Sequence, residues 1–179
     1  MSIFQENRAK IIASSYKHWN IHGKKVLDVG CGNGIVSDVL RKNLNIDLYG
    51  TDIIDYRKRE LPFKQMKVAN RLPFDDSSFD YVMFNDALHH IEDIELLIIE
   101  GGRVARNILI FEDQKNFLLQ FIDVVFNYFY SPKIPFPVNH KTLEEWCLLF
   151  RRIGFDYEIG KIYYPSWYPF RHMAFRLVR

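Results

Sequence analysis

Apolar and polar positions follow two rhythms along this chain. From Lys24 to Val29 the apolar residues Val26, Leu27 and Val29 mark a short strand before a glycine turn. After the next turn, Ile35, Val36, Val39 and Leu40 recur at helical spacing and predict a helix over Gly34–Lys42. Asp47–Asp52 (DLYGTD) then reads as a second strand, Gln65–Val68 as a short third, and Asp80–Phe84 (DYVMF) as a fourth. A helix over Glu92–Val104 precedes a fifth strand, Asn107–Phe111 (NILIF), and Arg8–Trp19 reads as an opening helix. Strands alternating with helices imply βαβ units around a parallel sheet.

The last third changes character. Gln114 to Tyr130 is apolar nearly all round, and SPKIPFP is a proline-punctuated loop. Thr142 followed by Glu145 forms a capping box, so a helix opens at KTLEEW and stops near Gly154. Two β-like runs follow, Asp156–Tyr164 and Met173–Val178. With no repeat and no linker, residues 1–179 read as one domain with an insertion around 114–141.

Composition narrows the class. The chain is 48% hydrophobic and 26% charged, the balance of a globular protein. A net charge of +2, with basic residues scattered in short clusters such as Arg57-Lys58-Arg59, gives no ground for a specific nucleic-acid partner. Two cysteines, Cys31 and Cys147, allow neither a disulfide framework nor a zinc spacing. No stretch reaches the ~18 uncharged apolar residues of a membrane span. The opening MSIFQENRAKII lacks the apolar core of a signal peptide, so a cytoplasmic location is expected.

The chemistry concentrates at VLDVGCGNG, Val26 to Gly34. A strand, a glycine turn and a helix in succession make a ligand site, because glycines permit a sharp turn and close approach while the helix offers free N–H groups. The absence of Lys after Gly34 excludes a Walker loop. The spacing G-x-G-x-G is one residue tighter than the dinucleotide fingerprint. Asp28, two residues before the glycines, would repel a pyrophosphate and attract a cationic amine. Asp52, about twenty residues further on, can accept two ribose hydroxyls, although NAD enzymes use an acid there too. A ligand with an ammonium, a sulfonium and a ribose fits: S-adenosylmethionine.

With these residues in view, the chain resembles the class I S-adenosylmethionine-dependent methyltransferases, in their small-molecule branch that includes ubiquinone- and menaquinone-biosynthesis enzymes. VLDVGCGNG, YGTDI, LPFDDSSFDYVMFNDALHHIED and TLEEWCLLFRRIGF carry the resemblance. It implies an α/β, Rossmann-like three-layer sandwich whose mostly parallel seven-stranded sheet ends in an antiparallel C-terminal hairpin. It also implies that Asp28, Gly30, Cys31 and Gly32 line the methionine end of the cofactor, that Asp52 holds the ribose and that Ile53 packs on the adenine. Ala69 would offer its N–H to the adenine edge, and Asn70 would stand in for the side-chain contact of the acid that relatives carry in this segment. Asn85 would turn its carbonyl toward the cofactor amine, and the product would be S-adenosylhomocysteine. A further departure is RVARNILIF, where the turn that relatives place before the fifth strand is cut short.

Methyl transfer needs a base only when the acceptor must lose a proton. His89 and His90, after the fourth strand, are the candidates, with Asp86, Glu112 and Asp113 behind them. NDAL lacks the signature of nucleobase methylation, and no acid set for a divalent metal can be assigned from the sequence. Aromatics make up 16% of the chain and concentrate late, from Phe117 onward. The expected acceptor is therefore small, apolar, aromatic or lipid-like. The late apolar segment suits three covers: a lid over the acceptor, a membrane surface, or a second copy in a homodimer. An RNA or protein methyltransferase, and a non-catalytic cofactor- or partner-binding protein, are the alternatives.

Overall fold

The computed structural model describes residues 2–114, 139–166, 168 and 170–179. The apolar segment of the expected insertion falls largely outside them. Helix α1 (Ser2–Tyr16) opens the chain and runs into a single 3₁₀ turn, Lys17–Trp19. Strand β1 (Lys25–Val29), helix α2 (Ile35–Leu44) and strand β2 (Asp47–Thr51) form the first βαβ unit. Strand β3 (Phe79–Asn85), helix α3 (Ile94–Val104) and strand β4 (Ala105–Asp113) form the second. Helix α4 (Leu143–Arg152) and the strands β5 (Asp156–Ile159) and β6 (His172–Val178) complete the fold.

The strand order is β2-β1-β3-β4-β6-β5. The first four strands are parallel, and β6 runs antiparallel to both β4 and β5. Six strands are present among the described residues, not seven. The run Gln65–Val68 fails as a strand because it forms no ladder. Around it the backbone makes single links: Met66 N–H to the Asp52 carbonyl at 2.8 Å, and isolated bridges Gly50–Phe63 and Val68–Arg71. The segment is a loop stapled to the end of β2.

Pleating sorts the side chains into two cores. In β3, Val82 and Phe84 face α3 and α4, where they meet Leu97, Ile98, Trp146 and Phe150. Tyr81 and Met83 face the other way, toward α1 and α2, with Ala9, Ile12, Tyr16, Val36 and Leu40. Leu27 and Val26 of β1 divide in the same manner, as do Ile108 and Leu109 of β4. Burial on both faces explains why these strands read as continuous apolar runs.

Helix α4 begins at the expected capping box. The Thr142 side chain accepts from Glu145 N–H at 3.2 Å, and Glu145 accepts from Thr142 N–H at 2.7 Å. At the shortened turn, α3 passes into β4 with no intervening residue. Gly102, within α3, lets the Phe155 ring pack closely, since a Cβ there would lie 2.6 Å from it.

Candidate functional site

Because β2 and β3 lie on opposite sides of β1, the chain reverses its direction of winding at β1 and leaves a crevice at the strands' carboxyl ends. The glycine turn fills its edge. Gly30 N–H and Cys31 N–H both donate to the Thr51 carbonyl, at 2.9 and 3.2 Å, folding the turn onto the end of β2. Gly30 sits at φ 75°, and a Cβ there would come 2.8 Å from that of Ala87, so conformation and packing both require glycine. Gly32, at φ 55°, faces the Tyr56 hydroxyl, 3.2 Å from where a Cβ would stand.

The two acids differ in setting. Asp28 is 2% exposed. Its carboxylate accepts from Ser37 Oγ at 2.6 Å and from Asn85 Nδ2 at 3.2 Å, and Asn85 Oδ1 accepts from the Tyr16 hydroxyl at 2.9 Å. Burial lifts the Asp28 pKa to about 6, against the pull of these two neutral donors. Asp52 is partly exposed and accepts from Gly32 N–H at 2.9 Å and Ile53 N–H at 2.7 Å. Asp52 thus braces the turn and keeps lone pairs open to a ligand.

The loop after β3 is organised by Glu112, which is 1% exposed. One oxygen accepts from Ala87 N–H and Leu88 N–H at 2.8 and 2.7 Å, and the other pairs with His89 Nδ1 at 2.7 Å. Burial disfavours a charge on His89, but Glu112 outweighs it and lifts the imidazole to about 9. His89 is therefore a buried, charged partner that fastens this loop to β4. Asp86 adopts a left-handed conformation, φ 49°, an uncommon state for a residue other than glycine. Its buried carboxylate lies 2.8 Å from Arg8 Nη1 and 3.5 Å from His172 Nε2, which is itself 2.8 Å from Asp113. Burial raises Asp86 above the ordinary carboxylate range, with Arg8 and His172 opposing. Asp86, Asp113 and His172 also place one ligand atom each within 4.8 Å of one another, a grouping the sequence did not reveal. The Arg8 guanidinium already supplies a positive charge there.

One cavity of about 480 Å³ joins these groups. Asp28, Gly30, Cys31, Gly32, Asp52, Ile53, Ala69 and Asn85 line it, and so does His90. Neither Asn70 nor His89 is among the lining residues. Sequence reasoning missed Gln5, Arg8, Tyr56 and Met66, which also line it. Gln5 and Arg8 lie on α1, whose early polar residues show no periodicity that would aim them at the glycine turn. Long-range contacts place them there: Gln5 Oε1 accepts from Asn33 Nδ2 at 3.2 Å, and Arg8 pairs with Asp86.

Residues 27–109 match a family model described as a methyltransferase domain. The chain is 34% identical over 96 residues to a sterol 24-C-methyltransferase of Schizosaccharomyces pombe, covering 47% of this chain and 25% of that protein. It is 33% identical over 98 residues to a phthiotriol/phenolphthiotriol dimycocerosates methyltransferase of Mycobacterium ulcerans, covering 50% of this chain and 36% of that protein. The chain thus spans well under half the length of either relative. The fold of the chain matches that of a magnesium protoporphyrin IX methyltransferase from Synechocystis PCC 6803 with bound SAH. That match has a TM-score of 0.62 at 18% identity and covers 98% of this chain and 83% of the other. Among the described residues, no helix is long and apolar enough to cross a membrane.

Proposed function

We propose that this chain transfers a methyl group from S-adenosylmethionine to a small apolar, aromatic or lipid-like acceptor. The observation that carries the reading is the setting of Asp28: a buried carboxylate at a cavity wall whose hydrogen-bond donors, Ser37 and Asn85, are both neutral. A ligand ammonium supplies the cation it lacks, while a pyrophosphate would be repelled. Asp52 would hold the ribose hydroxyls and Ile53 one face of the adenine, with the Ala69 N–H at its edge. The names of the two relatives, a sterol and a dimycocerosate methyltransferase, support an apolar acceptor.

When bound, S-adenosylmethionine supplies a methyl group already activated by its sulfonium. The chain has to align the acceptor and exclude water from the cavity. An acceptor that must lose a proton meets Asp86 and His90 on the part of the wall formed after β3. Asp86 suits proton uptake, because burial already raises its affinity for a proton. His89 does not, because Glu112 holds it protonated below pH about 9.

Calorimetric titration with S-adenosylmethionine, S-adenosylhomocysteine and NAD tests the reading. Micromolar binding of the first two, absent for NAD and weakened at least about tenfold by Asp52→Ala, is expected, since each tenfold is about 1.4 kcal/mol of lost contacts. Absence of binding to both would leave the glycine turn as scaffold only.

A further inference from the structure

Residues 53–71 form the rim of the cavity beyond β2, and backbone bonds hold them there. Gly50 N–H donates to the Pro62 carbonyl at 2.8 Å, Lys64 N–H to Gly50 at 3.2 Å, and Lys58 N–H to Asn33 at 2.8 Å. The Gln65 amide donates to the Ile53 carbonyl at 2.6 Å, which sets the two arms of the segment side by side. The segment holds six Lys and Arg against two Asp and Glu, a charge of +4 in a chain whose total is +2, so the rest of the chain carries −2.

Some of this charge is used internally. Arg57 is bound by Asp55 and the Leu61 carbonyl, and Arg71 lies 3.4 Å from Glu100. Lys58, Arg59 and Lys67 are exposed and meet no carboxylate among the described residues. The same segment also exposes apolar side chains: Ile54 at 49%, Tyr56 at 54% and Val68 at 56%. Ile54 and Tyr56 are at the same time cavity wall.

We propose that this rim docks the domain on an anionic lipid surface, so that a lipid-like acceptor passes from the bilayer into the cavity. The proposal deepens the acceptor reading above and rests on it for its purpose, but not for its test. Cations and half-exposed apolar side chains on one segment match the boundary between anionic headgroups and acyl chains. A nucleic acid would instead ask for flat rings to stack bases, and this rim exposes aliphatic Ile54 and Val68 with a single tyrosine. The charge asymmetry also orients approach, since the remainder of the chain is repelled by the surface that attracts the rim.

Co-sedimentation with vesicles decides it. One set is phosphatidylcholine alone and the other equal parts phosphatidylcholine and phosphatidylglycerol, at about 0.1 M and about 1 M salt. Binding to the anionic vesicles alone, lost at the higher salt, is expected. Lys58→Glu/Arg59→Glu/Lys67→Glu should weaken the partition at least about tenfold, and Ile54→Ser/Val68→Ser should weaken it several-fold. Equal binding to both vesicle types, no binding to either, or binding untouched by both variants would overturn the proposal. So would capture of poly(U) RNA tighter than of vesicles and indifferent to the serine variant. Calorimetry with S-adenosylhomocysteine, run on the same samples, reports the cofactor site separately. Failure of docking is thereby distinguished from failure of the methyltransferase reading.

Discussion

Asp28 costs the free protein stability. Its pKa rises from 3.8 to about 6 on folding, so the folded state binds the proton more tightly than the unfolded chain. Between these values stability falls as pH rises, by about 3 kcal/mol in all. Asp28→Asn should therefore melt higher than the parent at pH 7 and lose S-adenosylhomocysteine binding; a thermal melt and a titration on one sample check both. In the parent, affinity for the cofactor product should decline as pH drops below about 6, where Asp28 takes up its proton, by up to about tenfold per unit. His89 gives the same sign of pH dependence at higher pH, through an ion pair in place of burial. Its folded pKa lies above the unfolded 6.5, so its pairing with Glu112 stabilises fully below pH 6.5 and is lost as pH rises through about 9. Glu112→Gln keeps an acceptor for Ala87 and Leu88 N–H but loses the ion pair. It should lower stability by about 2 kcal/mol at pH 6 and flatten the decline toward pH 9, as measured by urea unfolding at each pH. From the sequence, His89 and His90 are indistinguishable. What separates them is Glu112, 23 residues away, and its partner in space depends on β3 and β4 pairing in register.

At the scale of elements, locally encoded features were the readable ones. The capping box of α4 needs only Thr142 and Glu145, three residues apart, and it forms as expected. Thr142→Ala should lower the melting free energy by about 1 kcal/mol without altering S-adenosylhomocysteine binding, since α4 lies outside the cavity. The strands β1 to β4 were legible because both of their faces are buried. Gln65–Val68 misled because an apolar or alternating run of four residues does not specify its hydrogen-bond partners. Here they are single contacts to the end of β2. The opening helix starts at Ser2, before the expected Arg8; its first turns were not legible because Ile3 and Phe4, exposed at 72% and 40%, leave no clean apolar stripe. The part of the cavity lined by α1 was hidden for the same reason.

For the whole molecule, the cavity gathers residues from α1, the turn after β1, the loop after β2 and the end of β3. Arg8→Ala would leave Asp86 buried near Asp113 and Glu112 without its nearest cation. The expected result is a melting temperature lower by several degrees, together with weaker S-adenosylhomocysteine binding, because one side chain serves both packing and cavity wall. A melting loss with unchanged affinity would show that α1 supports the site without facing the ligand.

The chain of contacts Tyr16–Asn85–Asp28–Ser37 has a consequence in time. It links α1, β3, β1 and α2 through side chains that are all buried, and residues up to 69 positions apart in sequence meet in it. A ligand held by Asp28 adds its binding energy to all four elements at once. Amide hydrogen exchange in α1, β1, α2 and β3 should therefore slow together on cofactor binding, while the outer strand β5 continues to exchange at its own pace.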